Sequence, residues 1–243
     1  MTRFFVPAED MAGDSVLLQG ANANHARVLR LKAGEQALVC DGMGNECVCA
    51  VESMDADRVT LSVIERRASS TEAAVKVSVY MAFPKGDKLE HVIQKATELG
   101  ACEIVVFPSA RCVSRPDEKS IGKKLDRWQK IAASAAEQSG RGMIPQVRVV
   151  KSYADALKEI VRTELPVLFY ENEQATTLRM AMESGSYASV GLMTGPEGGL
   201  EEKEVEQARQ AGLRICTLGR RILRCETAPL CALSAVMYAS GEF

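Results

Sequence analysis

Apolar and polar residues alternate in short runs through the first third of the chain. That period of two predicts strands over residues 4–6, 15–18, 36–40, 46–52 and 58–64. Turn chemistry separates the runs, most plainly at Asp41-Gly42-Met43-Gly44-Asn45, and one helical stretch, residues 24–31, interrupts them. Several short strands with a single helix predict a small β-barrel. From Val75 the rhythm changes. A strand over 75–83 is followed by Leu89, Val92, Ile93, Ala96 and Leu99 at helical spacing, with Gly100 closing that helix. Strands at 104–107, 147–149, 167–170, 189–194 and 214–218 then alternate with helices at 121–139, 153–163, 175–183, 201–211 and 228–239. Such alternation predicts a mostly parallel sheet with helices on both faces, an α/β domain. The small and polar stretch 66–74 reads as the linker, so the domains are expected at 1–70 and 74–243.

Composition narrows the class without naming a function. At 243 residues, 47% hydrophobic and 26% charged, the chain is ordinary for a soluble globular protein. The opening Met-Thr-Arg-Phe-Phe-Val-Pro has no apolar core with a cleavage site, and no run approaches a membrane span, so a cytoplasmic protein with no membrane partner is expected. The eight cysteines are scattered without a CxxC pair and read as small packing residues; with only His25 and His91, no metal site is expected. A formal net charge of -2 excludes a broad basic coat for nucleic acid, so any such binding must use a local patch. The segment carrying His25, Arg27, Arg30 and Lys32 is one such patch; alone it reads first as a solvated face, as charge runs usually do.

Two loops carry candidate chemistry. Thr194-Gly195-Pro196-Glu197-Gly198-Gly199 follows a strand and opens a helix, where glycines let backbone approach a ligand. It is neither a Walker A loop nor a GxGxxG fingerprint, and Glu197 would repel a pyrophosphate while suiting a cationic ligand. The second, Leu218-Gly219-Arg220-Arg221-Ile222-Leu223-Arg224-Cys225-Glu226-Thr227-Ala228-Pro229, again joins a strand to a helix, with Thr227 as a cap candidate and Pro229 in the first turn. The two loops could form one pocket, or Arg224 and Glu226 could simply pair on the surface.

Six segments in register resemble the RsmE family of SPOUT methyltransferases: Arg3-Phe4-Phe5-Val6, His25-Ala26-Arg27-Val28-Leu29-Arg30, Lys95-Ala96-Thr97-Glu98-Leu99-Gly100, Glu137-Gln138-Ser139-Gly140-Arg141, Gly195-Pro196-Glu197-Gly198-Gly199 and Leu223-Arg224-Cys225-Glu226-Thr227-Ala228. The chain departs from the family where Arg220 replaces a proline, where Cys225 replaces a small or hydroxyl residue, and where Ser109-Ala110-Arg111-Cys112 replaces Glu-Arg-Ser.

The resemblance implies a PUA-like β-barrel followed by an α/β domain with a C-terminal trefoil knot, a departure from the usual connection rules. It implies S-adenosylmethionine as cofactor, held by Leu192, Met193, Thr194, Gly195, Pro196, Glu197, Gly198, Gly199, Leu218, Gly219, Ile222, Leu223, Arg224, Thr227 and Ala228. The implied reaction is methylation of N3 of one uridine in 16S rRNA, near the decoding region of the small ribosomal subunit. Arg224 would stabilise the uracil anion, and Glu226 would orient it or accept the proton. Arg3, His25, Arg27, Arg30, Lys32, Lys85 and Arg141 would contact RNA. A homodimer is implied as well. The last helix supplies a motive, since Leu230, Leu233, Val236 and Met237 form a stripe among Cys231, Ala232, Ala235 and Ala239, leaving it apolar over much of its circumference. A noncatalytic ribosome-assembly protein and a ribose 2'-O-methyltransferase are the competing readings.

Overall fold

The computed structural model describes residues 1–55, 57–113, 118–183 and 185–243. The chain forms two compact units, Met1–Glu72 with Ala136–Ile144, and Ala73–Ala135 with Pro145–Phe243.

The first unit is a five-stranded sheet of β1 (Thr2–Phe5), β2 (Ser15–Gln19), β3 (Gln36–Cys40), β4 (Asn45–Met54) and β5 (Arg58–Ala68), in the order β1-β3-β4-β5-β2. The first pair is parallel and the others antiparallel. Alternation places Phe4, Val16, Leu18, Cys49 and Leu61 inside, and α1 (Gly20–Val28) covers them with Ala23 and Ala26. This helix lies earlier than its apolar spacing predicts. Its stop is set by Arg30, which is left-handed at φ 57. The Arg30 N–H then reaches Arg27 O and the Leu31 N–H reaches Ala26 O, a Schellman closure built without glycine. The expected linker is also partly strand, because β5 continues to Ala68, which pairs with Asn45.

Two expected RNA contacts are corrected here. Arg3 is only 7% exposed and donates to Glu46 at 2.9 Å, and Glu46 also binds Arg67 at 2.8 Å. Arg141 is 4% exposed, and its Nη2 lies 2.6 Å from Glu72 Oε2. The Glu72 carboxylate also accepts the backbone N–H of Gly142 and Met143. A guanidinium buried against a carboxylate stays paired, because separating the two would strand a desolvated charge. Both arginines thus build the unit and are not presented on its surface. Close approach helps fix this segment, since a Cβ on Gly142 would lie 2.3 Å from Ser69 Cβ.

The second unit carries six parallel strands: β6 (Lys76–Ala82), β7 (Glu103–Phe107), β8 (Gln146–Val149), β9 (Leu165–Phe169), β10 (Ser189–Thr194) and β11 (Arg214–Cys216). Their order is β11-β9-β10-β6-β7-β8. Six helices connect or follow them: α2 (Lys88–Glu98), α3 (Glu118–Ser139), α4 (Tyr153–Ile160), α5 (Leu178–Met182), α6 (Glu202–Ala211) and α7 (Thr227–Ala239). The central strands read as continuous apolar runs because both faces are covered, and the interior of β10 is fully buried. At Gly191 the missing side chain admits α4, since a Cβ there would sit 2.4 Å from Ile160 Cγ1.

β11 ends before residue 218, the expected limit. Thr217 Oγ1 accepts the Gly219 N–H at 3.1 Å and so turns the chain out of the sheet. In α7 the expected stripe is real but faces inward. Leu233, Val236 and Met237 are buried within the chain with Ala232, Leu230 is half-buried, and Cys231, Ala235 and Tyr238 are exposed. Among the described residues no helix is long and apolar enough to cross a membrane, and no group of three or more His, Cys, Asp or Glu is placed to hold a metal.

Candidate active site

The sheet order brings the carboxyl ends of β9, β10 and β11 side by side, where ligands of open α/β sheets bind. A cavity of about 560 Å³ opens there, lined by residues 169–171, 194–199, 217–225 and Ala228. Most of the expected cofactor residues lie on its wall. Leu192 and Met193 do not; they are fully buried in β10 beneath it, and Thr227 also lies off the lining. Phe169, Tyr170 and Glu171, at the end of β9, line the cavity with no motif to announce them.

Glycine is required in the first loop by space. Gly199 has φ 68, and a Cβ on it would fall 2.2 Å from Glu171 Oε1. A Cβ on Gly195 would crowd the Gly199 carbonyl carbon and Leu200 Cγ, both at 3.1 Å. The loop is braced from behind by a corner to which the sequence assigned no role. Arg111 Nη1 donates to Gly198 O at 2.9 Å, and the Ala110 N–H donates to buried Glu204 Oε1 at 2.8 Å. Thr194, at the mouth of β10, is 2% exposed, and its Oγ1 is a buried polar atom with no hydrogen-bond partner among the described residues. A buried hydroxyl without a partner is rare in folded proteins and marks a place for a further polar group.

Lys88, in the first turn of α2, ties the two loops together. Its Nζ lies 3.1 Å from Glu197 Oε1 and 3.3 Å from Glu226 Oε2, and 3.7 Å from Cys225 Sγ. The Lys85 N–H adds a bond to Glu197 at 2.9 Å. Partial burial would raise the Glu197 carboxyl, but the Lys85 N–H and the Lys88 ammonium together hold it below the usual glutamate range. Glu226 is lowered first by its own backbone N–H and then, against some desolvation, by Cys225 and Lys88. Hydrogen bonds to Glu197 raise Lys88 in turn. Burial, with help from the adjacent carboxylates, pushes the Cys225 thiol up to about 12, so it stays neutral.

These contacts change the expected pairing of the second loop. Glu226 faces Lys88, not Arg224. Arg224 is exposed on the cavity wall with no ion pair among the described residues. The remaining expected RNA contacts divide between the units. In the first, Arg27, Arg30 and Lys32 are exposed beside exposed Val28 and Leu29, while His25 pairs with Glu137 at 2.8 Å. In the second, Lys85 is exposed.

Residues 71–237 match the RNA methyltransferase domain family, and residues 18–64 match the RNA methyltransferase PUA domain family. The chain is 40% identical over 229 residues to the ribosomal RNA small subunit methyltransferase E of Bacillus subtilis (strain 168), covering 91% of this chain and 89% of that protein. It is 34% identical to the protein of the same name from Mycobacterium bovis, over 96% of this chain and 90% of that one. Among solved structures, it is similar to a ribosomal RNA small subunit methyltransferase E from Neisseria gonorrhoeae bound to S-adenosyl methionine. That match has a TM-score of 0.87 and 32% identity, covering 98% of this chain and 97% of the other.

Proposed function

Because this chain belongs to the ribosomal RNA small subunit methyltransferase E family, we propose that it methylates N3 of one uridine of 16S rRNA in the small ribosomal subunit. As a member it is an S-adenosylmethionine-dependent rRNA methyltransferase. The observation that carries the reading in this chain is the cavity between the two loops. Its glycine wall leaves backbone open to a ligand, its Glu171 carboxylate, without an ion pair among the described residues, suits a cation, and Thr194 Oγ1 lacks a partner among the described residues. These features fit a sulfonium nucleoside. Backbone of residues 195–199, 218–219 and 222–223 would hold the cofactor, and the reading includes a trefoil knot in the C-terminal part, supported by family membership.

When bound, S-adenosylmethionine supplies an electrophilic methyl group. The chain's own residues must hold the uracil ring in line with it and favour loss of the N3 proton, because the N3 lone pair is delocalised while that proton remains. Arg224 suits the second of these roles, since an exposed guanidinium on the cavity wall stabilises negative charge developing on O2 or O4. Glu226, whose carboxyl is held low first by its own backbone N–H and then by Cys225 and Lys88, is a poor proton acceptor and serves to anchor the loop that carries Arg224. A homodimer belongs to the same reading, with Cys231, Ala235 and Tyr238 as the face of α7 left for a second copy.

Nucleoside mass spectrometry of 16S rRNA from a strain lacking the gene tests the reading. 3-Methyluridine should vanish and return on complementation. Loss of 2'-O-methyluridine, which elutes separately, would point to the ribose instead, and an unchanged nucleoside profile would leave the assembly protein.

A further inference from the structure

The geometry points to the outer face of the loop 217–224 as a clamp for single-stranded RNA: Arg220 and Arg221 take backbone phosphates, and Ile222 packs against a base beside the target. The inference rests on the RNA methyltransferase reading and adds the contact by which the substrate is gripped at the cavity mouth.

Charge is the first observation. Arg220, Arg221 and Arg224 are all exposed, all line the cavity, and have no ion pair or side-chain hydrogen bond among the described residues. Other cations near the cavity are committed: Lys88 to Glu197 and Glu226, Lys203 to Glu201 at 2.8 Å, and Arg111 to the Gly198 carbonyl. Residues 217–224 include no carboxylate, and Glu226, just beyond them, is taken by Lys88. In a chain whose net charge is -2, this leaves three like charges on one loop, and the Glu171 carboxylate of the same cavity makes no ion pair with any of them among the described residues. Crowded guanidiniums repel each other unless a polyanion lies across them, and the phosphates of a nucleic acid provide one.

The second observation is Ile222, which is 84% exposed, more than any other large apolar side chain among the described residues. It makes no contribution to the core and sits between Arg221 and Arg224 at the opening. Proteins read single-stranded RNA by combining phosphate contacts with surfaces against which unstacked bases pack, and apolar side chains serve as wedges beside a displaced base. A base must leave its stack for its N3 to meet a methyl donor inside a cavity.

The third is order. The loop is pinned at both ends. Thr217 Oγ1 holds the Gly219 N–H, Gly219 turns at φ 104, and the Arg224 carbonyl accepts the N–H groups of Thr227 and Ala228, each at 2.9 Å. Arg220 and Arg221 are therefore presented between two hydrogen-bonded turns.

The full-length R220A/R221A variant tests the clamp. Anisotropy with fluorescein-labelled oligouridylate, and filter binding of isolated small ribosomal subunits, are measured over a salt series. S-adenosylmethionine affinity by calorimetry serves as the folding control. Loss of two phosphate contacts should lower the slope of log K against log salt by about 1.4 on the single strand, at roughly 0.7 per phosphate. Cofactor affinity should stay within about twofold, and R220K/R221K should restore the slope. An unchanged slope overturns the clamp, as does a lysine variant that fails to restore it. A changed oligomeric state with unaltered RNA binding assigns the loop to an interface between copies and overturns it too. Failure of the wild-type protein to methylate small subunits would instead strike the functional reading, while the slope still reports on the loop.

Discussion

Thr194 and Lys88 show how single residues set the site. Thr194→Val removes a buried hydroxyl that has no partner among the described residues, so the ligand-free protein should gain about 1 kcal/mol of stability instead of losing it. If the hydroxyl meets the cofactor, the same change weakens S-adenosylmethionine binding; thermal melts with and without ligand would move in opposite directions. Lys88→Met should unfasten both loops and raise the cofactor Kd roughly three- to tenfold. The sign of its pH dependence follows from the lowered carboxyls. Their pairing with Lys88 is in place above the ordinary glutamate value of 4.5 and is lost as pH falls through their still lower folded values. Cofactor affinity should therefore be flat near neutrality and fall under acid, and less so in Lys88→Met. The glycines of the first loop and Arg224 were legible in the sequence because each stands inside a motif. Lys88 was not, since it lies 137 positions from Cys225 and only the fold brings them together. Glu171 stayed hidden for the same reason, at the end of a strand that reads as ordinary core.

At the level of elements, apolar periodicity located nearly every strand and helix, and it failed where a local hydrogen bond overruled it. Arg30 stops α1, Thr217 cuts β11 short, and pairing with Asn45 carries β5 into the apparent linker. Periodicity also cannot say which neighbour covers a stripe, as α7 illustrates. Leu233 and Met237 looked suited to a dimer interface but are 0% and 1% exposed within the chain. Leu233→Ala should thus cost about 2–5 kcal/mol in denaturant titrations, whatever the oligomeric state. Ala235→Glu, on the exposed face, should leave the melting temperature of the fold nearly unchanged and abolish any dimer seen by light scattering. A variant that remains dimeric would place the interface elsewhere.

Across the whole molecule, a net charge of -2 gives little general attraction for phosphate, so useful affinity must come from several shaped contacts made at once. Turnover on assembled small subunits should exceed that on naked 16S RNA, most clearly at high salt; equal rates on both would contradict this. Sequence reading could propose two units but had no means of finding that Ala136–Ile144 belongs with the first, because Arg141 carries no outward sign that Glu72 is its partner. That detour has a consequence for biogenesis. During vectorial synthesis the amino-terminal sheet leaves the ribosome long before residue 141, so Glu72 must wait, hydrated, for its guanidinium, and the first unit cannot ripen on its own. Nascent chains stalled where residues 1–72 have emerged but 136–144 have not should be cut readily by protease within that sheet, and resistance should arrive only once residues 136–144 have emerged.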